Sequence, residues 1–497
     1  MKRFLIPIFL TVILAFEVFC IKAIPVIAET FPLSNSESVV FTLTQNLSGA
    51  QGFTFSLLFG SLIWTLFITI PIIVATIGSQ LVLKPRKHPT YKEIIVLLNI
   101  ACLALLSHSI YTNIPLANYY NLWKRSNTIS ESNDFYAKEY IDPDSVKIEF
   151  SEKRNLILIF LESVEYNFQD SANGGTLPQN LIPEITEYLK KEQSFIPGGT
   201  QITGTGWTMA DVVAKTCGIP LNISPNHNGP TSPNGKFLSG ATCLTDILHQ
   251  HGYTTVVSKG AHLKFSGMEA FTKTHAVDEG YGRDEYLKLR PINPNVLNEW
   301  GISDSAHYAL IKEHIERIST VGKPWALWMI TLNTHTPFGA SDPNCHIPEN
   351  ATNKENILSS IRCTSRQLDE FIQWAKTQEW YDNTTIAVMG DHASMAPKYA
   401  IGFRNQQTHY WLDFFIHSAR APKTNKREFT SLDMFPTILE AMGAKIPGNA
   451  LGLGRSLYSW APTLIEKYGL DSLNKNLEKR SEMYTRFLFY DKKKAQH

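Results

Sequence analysis

Asn155-Leu-Ile-Leu-Ile-Phe-Leu161, followed at once by Glu162, is the stretch on which the fold turns. An unbroken apolar run of strand length that ends on a charge reads as a strand buried on both faces. Thr384-Thr-Ile-Ala-Val-Met-Gly390 repeats the pattern and is closed by Asp391-His392. Between the two runs, Thr203-Gly-Thr-Gly-Trp-Thr208 forms a Gly-rich turn ahead of a helical stretch. In an open α/β sheet, ligands bind beyond the carboxyl ends of the strands. Glu162, Thr208, Asp391 and His392, far apart along the chain, are therefore expected to meet at one sheet edge.

Working outward, further strands are expected at 254–259, 325–332 and 410–416. Helices are expected at 183–191, 209–216, 243–251, 304–319 and 355–380. Apolar runs alternating with helices specify an α/β fold whose mostly parallel central sheet is covered by helices on both faces. The roughly 300 residues involved are enough to bury one large core. No internal repeat or low-complexity tract interrupts them.

The N-terminal part is of another kind. The stretches 4–21, 53–83 and 94–116 are apolar and almost free of charge, and they predict three membrane-spanning helices. Lys2 and Arg3 precede the first, and Lys84, Arg86, Lys87 and Lys92 lie between the second and third. The loop between the first and second carries Glu29 and Glu37 and no Lys or Arg. The positive-inside rule places the basic segments in the cytoplasm and everything after about Asn118 outside. Lys2-Arg3, the apolar run and Val26-Ile-Ala28 also resemble a cleavable secretory signal, which leaves the C-terminal region outside as well. The expected partition is a three-helix membrane anchor (1–117), a juxtamembrane connector (118–154), a catalytic domain (155–465) and a C-terminal tail (466–497) ending in the basic Lys492-Lys-Lys494.

A formal net charge of +1 over 497 residues gives no electrostatic basis for nucleic-acid binding. Cys20 and Cys102 fall in the apolar spans, whereas Cys217, Cys243, Cys345 and Cys363 lie in the outer region. Four cysteines in an oxidising compartment permit two disulfides. Sequence order suggests Cys217–Cys243 and Cys345–Cys363, although three pairings exist. The lack of a Cys-x-x-Cys spacing weakens a zinc-site reading.

Asp391 and His392 at one strand end, Glu162 at another, and the Thr208 hydroxyl would together make a four-ligand shell for a divalent cation. The oxygen-rich set leans towards Mn²⁺, with Mg²⁺ and Zn²⁺ as alternatives. Such an ion lowers the pKa of a hydroxyl and neutralises a phosphoryl oxygen. Gly204 and Gly206 allow the turn that presents Thr208, and the helix N-terminus behind it favours an anion. Each residue alone has a plainer reading: Thr208 as a helix cap, Glu162 as an acid near a helix start, Asp391-His392 as a structural pair.

Taken together, Asn155-Leu-Ile-Leu-Ile-Phe-Leu-Glu-Ser163, Gly204-Thr-Gly-Trp-Thr-Met-Ala-Asp211, Cys217-Gly-Ile-Pro-Leu221 and Gly390-Asp-His392 resemble the sulfatase-like phosphoglycerol transferases. That branch of the alkaline phosphatase superfamily includes lipoteichoic acid synthases and periplasmic glucan phosphoglycerol transferases. Ser431-Leu-Asp-Met-Phe-Pro-Thr-Ile-Leu439 is similar to a helix motif of the wider superfamily, and the resemblance covers about 155–455. It implies an alkaline phosphatase/sulfatase-like domain anchored in a bacterial inner membrane and facing the periplasm. Glu162, Thr208, Asp391 and His392 match the metal shell, with Thr208 as nucleophile.

His335, in Thr331-Leu-Asn-Thr-His-Thr-Pro337, matches a histidine that meets the substrate phosphate and serves as acid and base. His262, Lys264 and Phe265 fall where the family places substrate-binding residues, and Trp300-Gly-Ile-Ser-Asp304 resembles a structural turn. The implied reaction moves glycerol phosphate from phosphatidylglycerol, through a threonine-linked intermediate, to a glycan hydroxyl. A phosphoethanolamine transferase acting on lipid A or a glycan, and a phosphodiesterase of the same fold, are its rivals. The sulfatase Cys/Ser-x-Pro-x-Arg signature is absent, which argues against sulfate-ester hydrolysis.

Overall fold

The computed structural model describes residues 2–30, 33, 35–44, 51–82, 91–127, 134–222, 235–336, 338–345, 347, 350–395, 410–479 and 481–489. They fall into two compact units, Met1–Val39 with Ala50–Asn121 and Val40–Gly49 with Leu122–His497.

The first unit contains helices α1 (Lys2–Thr30), α2 (Gln51–Val82) and α3 (Tyr91–Asn113), with α1 packed against both others. Among the described residues, Phe9–Ala28 and Glu93–Asn113 are each long and apolar enough to cross a membrane, and Leu58–Val74 within α2 is likewise apolar. The expected 4–21 segment lies within α1, which continues past Lys22 to Thr30. Phe16, Phe67, Leu97 and Leu103 lie exposed on the outer surfaces of these helices, an arrangement suited to lipid rather than water. Asn99 Nδ2 donates to Leu10 O at 3.2 Å and to Ile95 O at 2.8 Å, so one amide links α3 to α1. Lys84, Arg86 and Lys87 lie outside the described residues.

The second unit is built on six strands: β1 (Asn155–Leu161), β2 (Thr254–Lys259), β3 (Glu279–Tyr281), β4 (Trp325–Ile330), β5 (Thr384–Gly390) and β6 (Asp413–Ile416). Their order across the sheet is β3-β2-β4-β1-β5-β6. All neighbours are parallel except β6, which runs antiparallel to β5. Every residue of β1 is buried, as its unbroken apolar run requires. Alternation divides it: Leu156, Leu158 and Phe160 enter one core, while Ile157, Ile159 and Leu161 enter the other.

Helices α4 (Pro183–Lys191), α7 (Asp304–Ser319) and α8 (Asn353–Ala375) fill the Ile157 side. Helices α5 (Thr208–Cys217), α6 (Leu244–Gln250) and α9 (Ser431–Ala441) fill the Leu158 side. The expected strand at 410–416 is broken. Tyr410–Trp411 pairs with Gly199–Thr200, and only 413–416 joins the main sheet.

Two expected boundaries are corrected. Within the supposed connector, Phe135, Tyr136 and Tyr140 are buried, and Glu149–Phe150 pairs with Ala444–Lys445. Within the supposed tail, α10 (Leu470–Leu477) and α11 (Glu482–Phe489) bury Leu473, Leu477, Tyr484 and Phe487 in the same core. Tyr136 OH donates to Leu477 O at 3.0 Å, joining the two. Each of these helices is only eight residues long, too short a run for a helical period to stand out against the charged residues around it. Lys492-Lys-Lys494 lies outside the described residues. The disulfides are Cys217–Cys243 and Cys345–Cys363, the order-based pairing; the first ties the end of α5 to the start of α6.

Glu139 clasps the two ends of this unit. Its carboxylate accepts from Lys467 Nζ at 2.7 Å, Tyr468 OH at 2.6 Å and Arg455 Nη2 at 3.3 Å. Burial alone would raise its carboxyl, but the Lys467 and Tyr468 hydrogen bonds and the charges of Lys467 and Arg455 hold it below the usual glutamate range. A depressed folded-state pKa stabilises the protein above the ordinary value of about 4.3 and ceases to do so as pH falls through the folded value. Glu139→Gln is thus expected to cost about 1–3 kcal/mol at pH 7, with the gap to wild type closing below about pH 4. Urea titrations at both pH values check this; a gap independent of pH contradicts it.

Candidate active site

Glu162 is the first residue beyond β1, and the chain turns sharply after it. Ser163 adopts a left-handed φ of 55°, uncommon for a residue with a side chain and found where the surroundings hold it. That turn aims the Ser163 amide at Asp391 Oδ1, 2.7 Å away, and its hydroxyl at Glu162 Oε1, 2.6 Å away. Thr331 Oγ1 accepts from the Glu162 amide at 3.0 Å, and Thr334 Oγ1 donates to the Glu162 carbonyl.

Thr208 is the first residue of α5. Gly204, at φ 70°, makes the turn before it, and a Cβ there would lie 2.9 Å from both Asn222 Oδ1 and Pro220 Cβ. The Thr208 hydroxyl does not cap its helix. It donates to Glu162 Oε2 at 3.0 Å, beside the free amides of the helix start.

Asp391 and His392 follow β5. A Cβ on Gly390 would lie 2.0 Å from Val164 O, so only glycine lets the two loops approach this closely. Asp391 Oδ1 accepts from the Ser163 and His392 amides. His392 Nδ1 donates to Ala393 O at 2.9 Å, which leaves Nε2 as the free nitrogen. Asp391 Oδ2 and His392 Nε2 are buried without hydrogen-bond partners. Nε2 lies 3.5 Å from both Asp391 Oδ2 and Glu162 Oε1, and the three ligand atoms all fall within 4.8 Å of one another.

Buried polar atoms are nearly always satisfied. Two orphans converging on a third ligand oxygen fit a divalent cation, with Thr208 at its margin. Burial and the Glu162 charge push the Asp391 carboxyl up to about 7. Burial would also raise Glu162, but His335, His392 and the Ser163 and Thr208 hydrogen bonds hold it low.

Beneath the site, Lys215 pairs with Asp211 inside the core, and Ser431 Oγ donates to Asp211. Lys215 Nζ also donates to Gly390 O at 2.7 Å and Asp391 O at 2.9 Å, and lies 3.7 Å from the centre of the Trp411 ring. The pair braces the loop that carries Asp391. Sequence reasoning missed it, although an Asp–Lys pair at i, i+4 in an otherwise apolar helix was a visible signal.

A pocket opens beside Thr208 and Glu162, lined also by Lys259, Phe265, Trp300 and His335. His335 Nδ1 donates to Thr336 O at 2.7 Å, and the ring packs at a tilt of 34° against Trp300 with centroids 3.8 Å apart. Trp300, expected to be structural, therefore forms part of the wall. Asp304 plays the structural part, accepting from the Leu332 and Asn333 amides. Of the expected substrate contacts, only Phe265 reaches the pocket. His262 is turned away, its ring nitrogens held by Asp284 at 2.9 Å and Arg283 at 3.0 Å, and Lys264 is exposed. The turn at Ser266, φ 59°, sets which side chains of this loop face inward. Lys259, not anticipated, ends β2 buried against the pocket. Burial pushes its amine down to about 8 against the opposing effect of Glu162.

The sulfatase family profile matches residues 154–444. The chain belongs to this family. Phosphoglycerol transferase I from Salmonella typhimurium is 32% identical over 310 residues, 62% of this chain and 39% of that protein; the Salmonella typhi protein of the same name matches equally. The chain thus spans about two fifths of the length of these curated relatives. Among solved structures, lipoteichoic acid synthase LtaP from Listeria monocytogenes aligns with a TM-score of 0.51 at 17% identity, covering 68% of this chain and 81% of that one. A protein of the alkaline phosphatase superfamily from Vibrio parahaemolyticus aligns at 0.50 and 21%, covering 68% and 77%. These show the fold.

In this sulfatase-family chain Cys217 is bonded to Cys243, and a threonine, Thr208, stands at the helix start beside Glu162. Lys215→Met leaves Asp211 buried without its counter-charge and is expected to destabilise the protein by about 3–5 kcal/mol. Pairing it with Asp211→Leu should recover most of that. Chemical denaturation of the single and double variants measures it; equal losses in both would contradict the unpaired Asp211 charge as the main source of the loss.

Proposed function

We propose that the chain is a membrane-anchored, metal-dependent phosphoglycerol transferase. In this reading it takes glycerol phosphate from phosphatidylglycerol and delivers it, through a covalent adduct on Thr208, to a glycan hydroxyl outside the cytoplasmic membrane. The observation that carries the reading is the Thr208 hydroxyl, 3.0 Å from Glu162 at a helix N-terminus, facing the gap shared with Asp391 and His392. The Salmonella relatives, named phosphoglycerol transferase I, support phosphoglycerol as the group that is moved. The apolar helices support the anchor, which keeps the site at high effective concentration near a two-chain lipid.

Glu162, Asp391 and His392, with Thr208, would hold the cation, for which Mn²⁺ is the favoured identity. When bound, it supplies Lewis acidity that lowers the hydroxyl pKa and offsets phosphoryl charge. The remaining steps belong to side chains. Thr208, its proton released to solvent, attacks phosphorus in line and the phosphorus–oxygen bond to diacylglycerol breaks; the acceptor oxygen then attacks the same phosphorus and the bond to Thr208 Oγ1 breaks. His335, its Nδ1 fixed on the Thr336 carbonyl, gives a proton to the leaving oxygen from Nε2 and later takes one from the acceptor hydroxyl. The amides at the start of α5 stabilise the anionic phosphoryl oxygens.

Incubation with phosphatidylglycerol and no acceptor is expected to leave a glycerophosphoryl group on the peptide that contains Thr208, detected by mass spectrometry. Thr208→Ala should abolish the adduct and lower transfer by at least about 10³-fold. An adduct elsewhere, or transfer at the normal rate by the variant, would overturn the mechanism.

A further inference from the structure

One cation in the pocket has no part in the scheme above. Lys259 lies at the carboxyl end of β2 in register with Ile330 of β4, which itself pairs with Phe160 of β1. Its side chain is 7% exposed and shares the pocket with Glu162, Thr208 and His335. Among the described residues no carboxylate lies within ion-pair distance of its ammonium. Its hydrogen bond, to the Phe265 carbonyl, is long at 3.4 Å. Lys215, the other deeply buried lysine at this site, has a carboxylate and two carbonyls around it.

Removing an ammonium from water without an anionic partner is costly. A lysine held that way beside a nucleophile is therefore a seat for an anion. The rest of the wall restricts what that anion can carry. Phe265, Trp300 and Leu332 are apolar, and Ser266 can offer a hydroxyl. Glu162, the carboxylate on this wall, is already engaged by Ser163 and Thr208. A cationic headgroup would face Lys259 with no spare carboxylate among the described residues, whereas an uncharged polyol would meet no such repulsion.

We propose that Lys259 reads the donor lipid: its ammonium takes a non-bridging oxygen of the phosphodiester, and its charge excludes donors with a cationic headgroup. The inference rests on the phosphotransferase reading and assigns the headgroup choice to one side chain.

The test uses the full chain in detergent with Mn²⁺ and acyl-labelled phosphatidylglycerol or phosphatidylethanolamine, measuring diacylglycerol release. Wild type is expected to prefer phosphatidylglycerol. Lys259→Met should lose about 10- to 100-fold in kcat/KM on phosphatidylglycerol, with phosphatidylethanolamine turnover held or raised, so that the preference collapses. Lys259→Arg should keep it. A Lys259→Met protein that melts like wild type and keeps the wild-type preference overturns the role of Lys259 alone. Wild type that cleaves neither lipid overturns the transferase reading and this one with it.

Should Lys259→Met melt early, inhibition of wild type decides the same point. Glycerol phosphate is expected to inhibit at least about 10-fold more strongly than phosphoethanolamine, and equal inhibition overturns the proposal.

Discussion

The register of two parallel strands governs everything else in this protein. Leu161 of β1 lies opposite Gly390 of β5, so the two strands end level and the residues that follow them, Glu162 and Asp391, emerge side by side in a dry interior. Two carboxylates so placed repel each other and have left water behind. Burial and Glu162 together raise the Asp391 carboxyl. Such an arrangement persists only where something compensates the charge. Locally the Ser163 and His392 amides do part of this, and a divalent cation fits the remainder.

The surrounding structure can be understood as support for that cluster. The left-handed Ser163 turns its amide towards Asp391, and Gly390 lets the two loops touch. The Asp211–Lys215 pair holds the carbonyls of Gly390 and Asp391 from below. Thr208 arrives from the other direction, carried on a helix whose apolar residues are locked into the Leu158 side of the core. Because these side chains come from separate loops on one rigid sheet, their geometry is set by core packing rather than by any single loop.

Much of this was legible in the sequence, for definite reasons. The apolar runs of β1 and β5 have strand rather than helix length, which favours doubly buried strands and puts the polar residues closing them at the sheet's carboxyl edge. The structure brings Glu162, Thr208, Asp391 and His392 together at that edge. What stayed hidden depends on which way a loop faces or on whether a charge is buried. His262 and Lys264 sit two residues apart near Phe265, yet only Phe265 points into the pocket. Lys259 looked like an ordinary strand end. Helices α10 and α11 looked like a charged and polar tail because each is short and its apolar residues find partners only in the folded core.

The central claim is that the Thr208 hydroxyl and three buried side chains surround one divalent ion. Diffraction from crystals grown with Mn²⁺, with anomalous data collected at the manganese edge, tests this most directly. The account predicts a single strong anomalous peak in this unit about 2.0–2.3 Å from ligand atoms of Glu162, Asp391 and His392, with Thr208 Oγ1 in contact. A peak elsewhere, or a Thr208 hydroxyl turned back to cap its own helix while the ion is bound, would contradict it.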